Sequence, residues 1–229
     1  MLWLLLGSGL ICMQAGASQE ATHRATPDVA QTPSLLATRG YKRAEFGGAN
    51  ASKEARHLAH WVMDSGDHLG KPFVIVDKRD AKVFVFDAMG KLLGTSSALL
   101  GLAIGDDSVP GIGDKRISDI RPEERTTPAG RFVAHLDKNL KGQEMLWVDY
   151  DTAVSMHPVV PGHPRERRAE RLASALPSER RISYGCINVP AKFYKQVVSL
   201  AFTGTDGIVY VLPEIRSARD VFGSYDVTE

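Results

Sequence analysis

Cysteine is nearly absent from this chain. Among 229 residues only Cys12 and Cys186 occur, too few for a disulfide-stapled miniprotein or a cysteine-rich zinc module. A charge surplus is missing too. The 28 Lys and Arg against 27 Asp and Glu leave a formal net charge of +1, where a nucleic-acid binder would show a marked basic excess, so no nucleic-acid partner is expected. Nor does any apolar run reach the roughly 18 residues of a spanning helix. The longest, LWLLLGSGLICM over residues 2–13, is broken by Gly7, Ser8 and Gly9. It leads into Ala15-Gly16-Ala17, a small-x-small pattern, so residues 1–17 read as a secretory signal cleaved after Ala17, although its start carries no Lys or Arg. Cys12 suits a lipoprotein cleavage site poorly, because Leu10 and Ile11 precede it where a small residue is wanted. The expectation is an exported chain, in the periplasm or cell envelope, with no membrane span after cleavage. The one cysteine left, Cys186, is then an unpaired thiol in a disulfide-permissive compartment, which calls for a functional explanation.

What is present is an ordinary globular composition, 43% hydrophobic and 24% charged, enough for one domain with its own core. Residues 18–49 lack any period and read as a mobile arm. Ala55, Leu58, Ala59, Val62 and Met63 recur at helical spacing and predict an amphipathic helix over 50–66. Strands are expected at 73–76, 82–86, 92–93, 130–136, 145–150, 153–157 and 208–212, within a main domain of residues 67–215. A C-terminal tail follows at 216–229. The fold class is mainly β with a few helices (α+β). The Gly/Pro/Asp-rich stretch 105–115 reads as a loop, with Asp106 and Asp107 in a solvated turn.

The chemistry concentrates in Ser183-Tyr184-Gly185-Cys186-Ile187-Asn188. Asn188 and Pro190 predict a helix start just after Cys186, whose dipole would lower the thiol pKa. Gly185 allows close backbone approach, and the N–H groups of Gly185 and Cys186 are candidate oxyanion donors. A thiol near its reference pKa of about 8.5 needs a neighbouring base. His157, at the end of an expected strand, is the best candidate, although the residues alone also fit a buried cysteine and a structural histidine. His57 and His60 stand three apart on the helix but lack an acidic or thiol partner spaced to complete a site, so no metal is expected there. His23, His68, His135 and His163 read as surface or core histidines, and Trp61, Trp147, Phe84 and Phe86 as core.

These residues resemble a family. His157 followed by Ser183-Tyr184-Gly185-Cys186-Ile187-Asn188 is similar to the signature of L,D-transpeptidase (YkuD-like) catalytic domains, a histidine and then Ser/Thr-His-Gly-Cys, an apolar residue, and Asn or Arg. Thr127-Pro128-Ala129-Gly130-Arg131-Phe132 resembles the family's Thr-Pro-x-Gly-x-Phe segment, and residues 73–95 its opening strands. The resemblance implies a β-sandwich or barrel in which Cys186 is the nucleophile and His157 the base, with Ser183, Tyr184, Gly185 and Asn188 as oxyanion or motif support. It also implies an acyl-enzyme thioester with a peptidoglycan stem peptide, acylation by carbapenems, and no cofactor.

Two departures stand out. Tyr184 replaces the family's second histidine, and a phenol is no base near neutral pH. Residues 158–182 form a long insert with Arg165, Arg167, Arg168, Arg171, Arg180 and Arg181 against Glu166, Glu170 and Glu179. It reads as a solvated helix, or as a lid in which Arg180 and Arg181 bind stem carboxylates. Alternatives are an L,D-carboxypeptidase and a non-catalytic peptidoglycan-binding domain. A sortase-like reading fails because no arginine follows Cys186 before Arg216, and an amidase-like one because Cys would precede His.

Overall fold

The computed structural model describes residues 42–227. The expected signal at 1–17 and most of the expected arm lie outside that range. Helix α1, Lys53–Ser65, begins at Ser52, whose Oγ accepts the Ala55 N–H at 3.0 Å, and ends at Gly66 in the left-handed region that C-caps favour. Its apolar face covers one side of a sheet.

The strands are β1 (Phe73–Asp77), β2 (Lys82–Phe86), β3 (Leu92–Ser97), β4 (Leu100–Gly101), β5 (Gly130–Lys138), β6 (Glu144–Asp149), β7 (Val154–Pro158), β8 (Arg181–Ser183), β9 (Ile187–Val189) and β10 (Gly207–Val211). Eight of them form one sheet in the order β3-β2-β1-β10-β5-β6-β7-β9, while β4 and β8 pair separately. The sheet's two edges meet. Leu99, just past β3, exchanges two backbone hydrogen bonds with Asn188 of β9, at 2.8 and 2.9 Å, so the sheet curls into a nearly closed barrel. The chain is mainly β with a few helices, as the composition of its runs predicts.

Period-2 alternation divides the central strands between two cores. Val74 and Val76 of β1, with Val209 and Val211 of β10, face a cluster that includes Leu146, Met156 and Ile187. Phe73, Ile75, Ile208 and Tyr210 face Leu58, Ala59 and Val62 of α1. Every residue of β1 and β10 is buried, which explains why both read as unbroken apolar runs. The short helices are α2 (Arg168–Ala173), α3 (Ala191–Phe193), α4 (Ser199–Phe202) and α5 (Ala218–Phe222), with a π turn at Tyr194–Val198 joining α3 to α4. No helix among the described residues is long and apolar enough to cross a membrane.

Three expectations are corrected. Residues 42–49, expected in a mobile arm, are held down: Ala44 and Phe46 are buried against α1 and β2, and Glu45 bonds through its backbone to Gly90 and Leu92. The expected tail at 216–229 contains α5, whose Phe222 ring meets Tyr210 edge-on at 6.0 Å. Asp106 is not in a solvated turn. Its carboxylate is buried and accepts the backbone N–H groups of Glu214 (2.7 Å), Ile215 (3.0 Å) and Arg216 (2.7 Å), together with the Lys78 ammonium at 2.9 Å. Lys78, only 1% exposed, also donates to the carbonyls of Gly105 and Thr127. Burial pushes the Asp106 carboxyl up, but these donors outweigh it and hold the group well below the usual carboxylate range.

A group depressed in this way stabilises the fold above its unfolded pKa, about 3.9, and loses that contribution as pH falls toward the folded value. Asp106→Asn turns an amide N–H against either Ile215 and Arg216 or Glu214 and Lys78, and leaves Glu214 the one carboxylate beside the buried Lys78. It should lower unfolding free energy at pH 7 by about 3–5 kcal/mol, and stability should then fall less between pH 6 and pH 3 than in the wild type. Denaturant unfolding at the two pH values checks both.

Candidate active site

Strand β7 sets the geometry. Val154 and Met156 point into the barrel core, so Ser155 and His157, two residues apart, share the opposite face with Ala153. Strand β9 runs parallel to β7 with His157 opposite Asn188 and Met156 opposite Ile187. Cys186, one step before β9, therefore arrives beside His157 and Ser155. All three line one cleft of about 680 Å³, with Trp147 on its wall and Lys138, the last residue of β5, with Leu140 and Lys141 of the β5–β6 turn on its lip.

The loop carrying the thiol is clamped from below. Gly185 has φ +127, and a Cβ there would stand 2.9 Å from the Thr126 carbonyl oxygen, so both conformation and space favour glycine. The Thr127 hydroxyl donates to the Gly185 carbonyl at 2.7 Å and accepts the Gly101 N–H at 2.9 Å. Ser183 Oγ donates to the Cys186 carbonyl at 2.6 Å and accepts the Gly185 N–H at 3.2 Å. The Gly185 N–H, a candidate oxyanion donor, is thus already engaged. Asn188 Nδ2 gives the Cys186 carbonyl its second donor at 3.2 Å and lies 3.4 Å from His157 Nε2, while Asn188 Oδ1 accepts from Arg168 at 3.0 Å.

His157 Nδ1 lies 2.8 Å from the Pro158 carbonyl oxygen. As the only available donor of that pair it carries the proton in the neutral ring, and Nε2 then presents its lone pair on the side of Asn188 Nδ2. Burial pushes the half-buried Cys186 thiol up, but the hydrogen bond and charge of His157 outweigh it, with help from Ser155, and bring the thiol below its ordinary value. Burial pulls His157 down, and pairing with Cys186 more than reverses this, so the imidazole sits above its ordinary value. The two shifts run in opposite directions, so each group favours the charged form of the other. The helix dipole expected from Pro190 is not the source of the thiol's shift, because β9 stands between Cys186 and α3. Asn188 correspondingly lies in a strand.

Other candidates stand elsewhere. Tyr184 does not line the cleft; its ring lies under the Arg125 guanidinium, 3.9 Å from the centroid. Arg180 is buried and donates to Ser97 Oγ and to the carbonyls of Ser174 and Asp80, while Arg181 pairs with Glu214. Neither reaches the cleft, which corrects their assignment as ligands of a substrate there. The insert meets the site instead through Arg168, held by Glu166 at 2.6 Å and bonded to Asn188. Trp147, expected in the core, is a half-buried cleft wall stacked on Tyr150 at 4.6 Å. Ser155 and Trp147 were both detectable from strand alternation, since each lies two residues from another cleft residue.

No family model and no curated protein matches this chain. Solved structures do match, and they include L,D-transpeptidases. The catalytic domain of the E. faecium L,D-transpeptidase is 18% identical over 63% of this chain and 99% of its own, with a TM-score of 0.38. The helical cell shape determining protein Pgp2 of Campylobacter jejuni is 14% identical over 64% and 49%, with a TM-score of 0.40. The L,D-transpeptidase LdtMt1, solved in complex with imipenem, is 17% identical over 62% and 58%, with a TM-score of 0.33. In these last two, the aligned region spans about half the length of the matched chain. Alignments this loose transfer no residue's role, so the functional reading rests on the site itself.

Two substitutions test the geometry. In His157→Ala only burial and Ser155 remain to act on the thiol, so its pKa should rise; alkylation of Cys186 at pH 7 should slow about tenfold or more, since each pKa unit changes the thiolate fraction about tenfold. An unshifted rate–pH profile would mean that the two residues are not coupled. Thr127→Val strands the buried Gly185 carbonyl and Gly101 N–H, at about 1–3 kcal/mol each. It should lower Tm and slow alkylation, while Thr127→Ser keeps both.

Proposed function

We propose that the protein is a cysteine-dependent acyltransferase of the L,D-transpeptidase kind, acting on peptidoglycan stem peptides in the cell envelope. The observation that carries this reading is the thiol–imidazole pair, Cys186 and His157, brought together across β7 and β9 at the floor of an open cleft. In the first half-reaction the Cys186 thiolate attacks the carbonyl that precedes the terminal D-alanine of a tetrapeptide stem. The C–S bond forms, the C–N bond breaks, and the His157 imidazolium gives its proton to the leaving amine. In the second, an acceptor amine attacks the thioester, neutral His157 takes its proton, and the thiolate leaves. Water in place of the amine gives a carboxypeptidase outcome.

The lip supports an anionic substrate. Lys138 and Lys141 are exposed beside Leu140 and outnumber the lip's one carboxylate, Glu144, which accepts from Ser199, so they offer a cationic edge to a stem that carries free carboxylates. An export signal over 1–17 would place the chain with that substrate.

Incubation with purified wall fragments followed by mass spectrometry tests the reading. The wild type should release D-alanine and give cross-linked or trimmed stems, and Cys186→Ala should give neither; product from Cys186→Ala would contradict it, and so would an inert wild type. A carbapenem should add its mass to Cys186 alone. Lys141→Gln should raise KM about two- to fivefold with kcat nearly unchanged, the scale of an exposed ion pair of about 0.2–1 kcal/mol.

A further inference from the structure

A second cavity, about 650 Å³, lies between the insert, the β1–β2 turn and the chain after β4, and shares no lining residue with the cleft. Four cations, Lys78, Arg79, Arg171 and Arg181, line it against one carboxylate, Glu214. Lys78 is committed to Asp106 and its carbonyls. The guanidiniums are not so committed. Arg79 donates to the Glu214 carbonyl at 3.0 Å, and Arg171 to the carbonyls of Glu166 at 2.9 Å and Glu179 at 2.8 Å. Neither pairs with a carboxylate among the described residues. Arg181 uses Nη2 on Glu214, but its Nη1 is buried without a hydrogen-bond partner, on a side chain only 10% exposed.

Guanidiniums bonded only to carbonyls, as those of Arg79 and Arg171 are, keep donors for an arriving anion, and charge-assisted bonds to a carboxylate are the strong ones. The rest of the lining is apolar: Leu102, Ile104, Pro177 and Ile182, with Ile104 71% exposed. Guanidiniums beside an apolar wall fit an anion with a small hydrocarbon group next to it.

We propose that this cavity binds a carboxylate borne next to a small apolar side chain, such as the C-terminus of a peptide ending in alanine. The site is separate from the cleft and holds whether or not Cys186 turns a substrate over. It does adjoin the catalytic loop in sequence, since Arg181 and Ile182 lead directly into Ser183.

Isothermal titration of the full chain with N-acetyl-D-alanine, its neutral amide and inorganic phosphate tests the proposal. The acid should bind with an affinity that weakens as salt is added, and the amide and phosphate more weakly. The Arg79→Gln, Arg171→Gln double variant should weaken acid binding about tenfold or more, and Arg79→Gln alone, at an exposed position, by a smaller factor should the double variant fold poorly. Lys192→Gln, at an exposed position that lines neither cavity, should leave this affinity unchanged. Equal binding of acid and amide would overturn the proposal, as would phosphate binding as tight as the acid, no binding at all, or a loss in Lys192→Gln with the arginine variants unaffected.

Discussion

Asn188 is the point where fold and site become one problem. Its backbone exchanges both hydrogen bonds with Leu99 and so joins the two edges of the sheet, while its side chain reaches the Cys186 carbonyl, His157 and Arg168. The residue is 1% exposed, so each of these bonds is made in a setting where a lost partner is expensive. Barrel closure therefore fixes where the thiol stands relative to His157. Loops alone would hold such a distance loosely; adjacent strands in parallel register hold it by the sheet's own hydrogen bonds.

A second layer of polar contacts supports the loop from beneath. Lys78 binds the Thr127 carbonyl, the Thr127 hydroxyl binds the Gly185 carbonyl, and Asp106 holds Lys78 while it gathers the backbone of residues 214–216. A buried ion pair of this kind contributes little net stability over an apolar replacement, yet losing one partner is costly. Its value here is positional: it joins the β1–β2 turn, the chain after β4 and the chain after β10 under the segment that carries Cys186.

Much of the fold was legible in the sequence. The apolar runs at 73–76 and 208–212 and the alternation at 82–86, 130–136 and 153–157 correspond to strands because burial on one or both faces imposes those patterns. Three-residue strands such as β8 and β9 carry no readable period, and Pro190 made Ile187–Val189 look like the approach to a helix. Asp106 sits in turn-like composition, and nothing local reveals that donors more than a hundred residues away will bury it. Arg180 and Arg181 looked like substrate ligands because charge in an insert suggests solvent, whereas their partners, Asp80, Ser97 and Glu214, come from distant strands and turns. At the site, the residue types of Cys186 and His157 were legible, and their nearness depended on the register of β7 and β9.

The most direct test is the intact mass of the protein quenched seconds after mixing with a disaccharide tetrapeptide. The account predicts a covalent adduct equal to the donor minus its terminal D-alanine, located on Cys186 and discharged when an acceptor amine is added. Release of D-alanine with no adduct on Cys186 under any quench time, or an adduct on another residue, would contradict it.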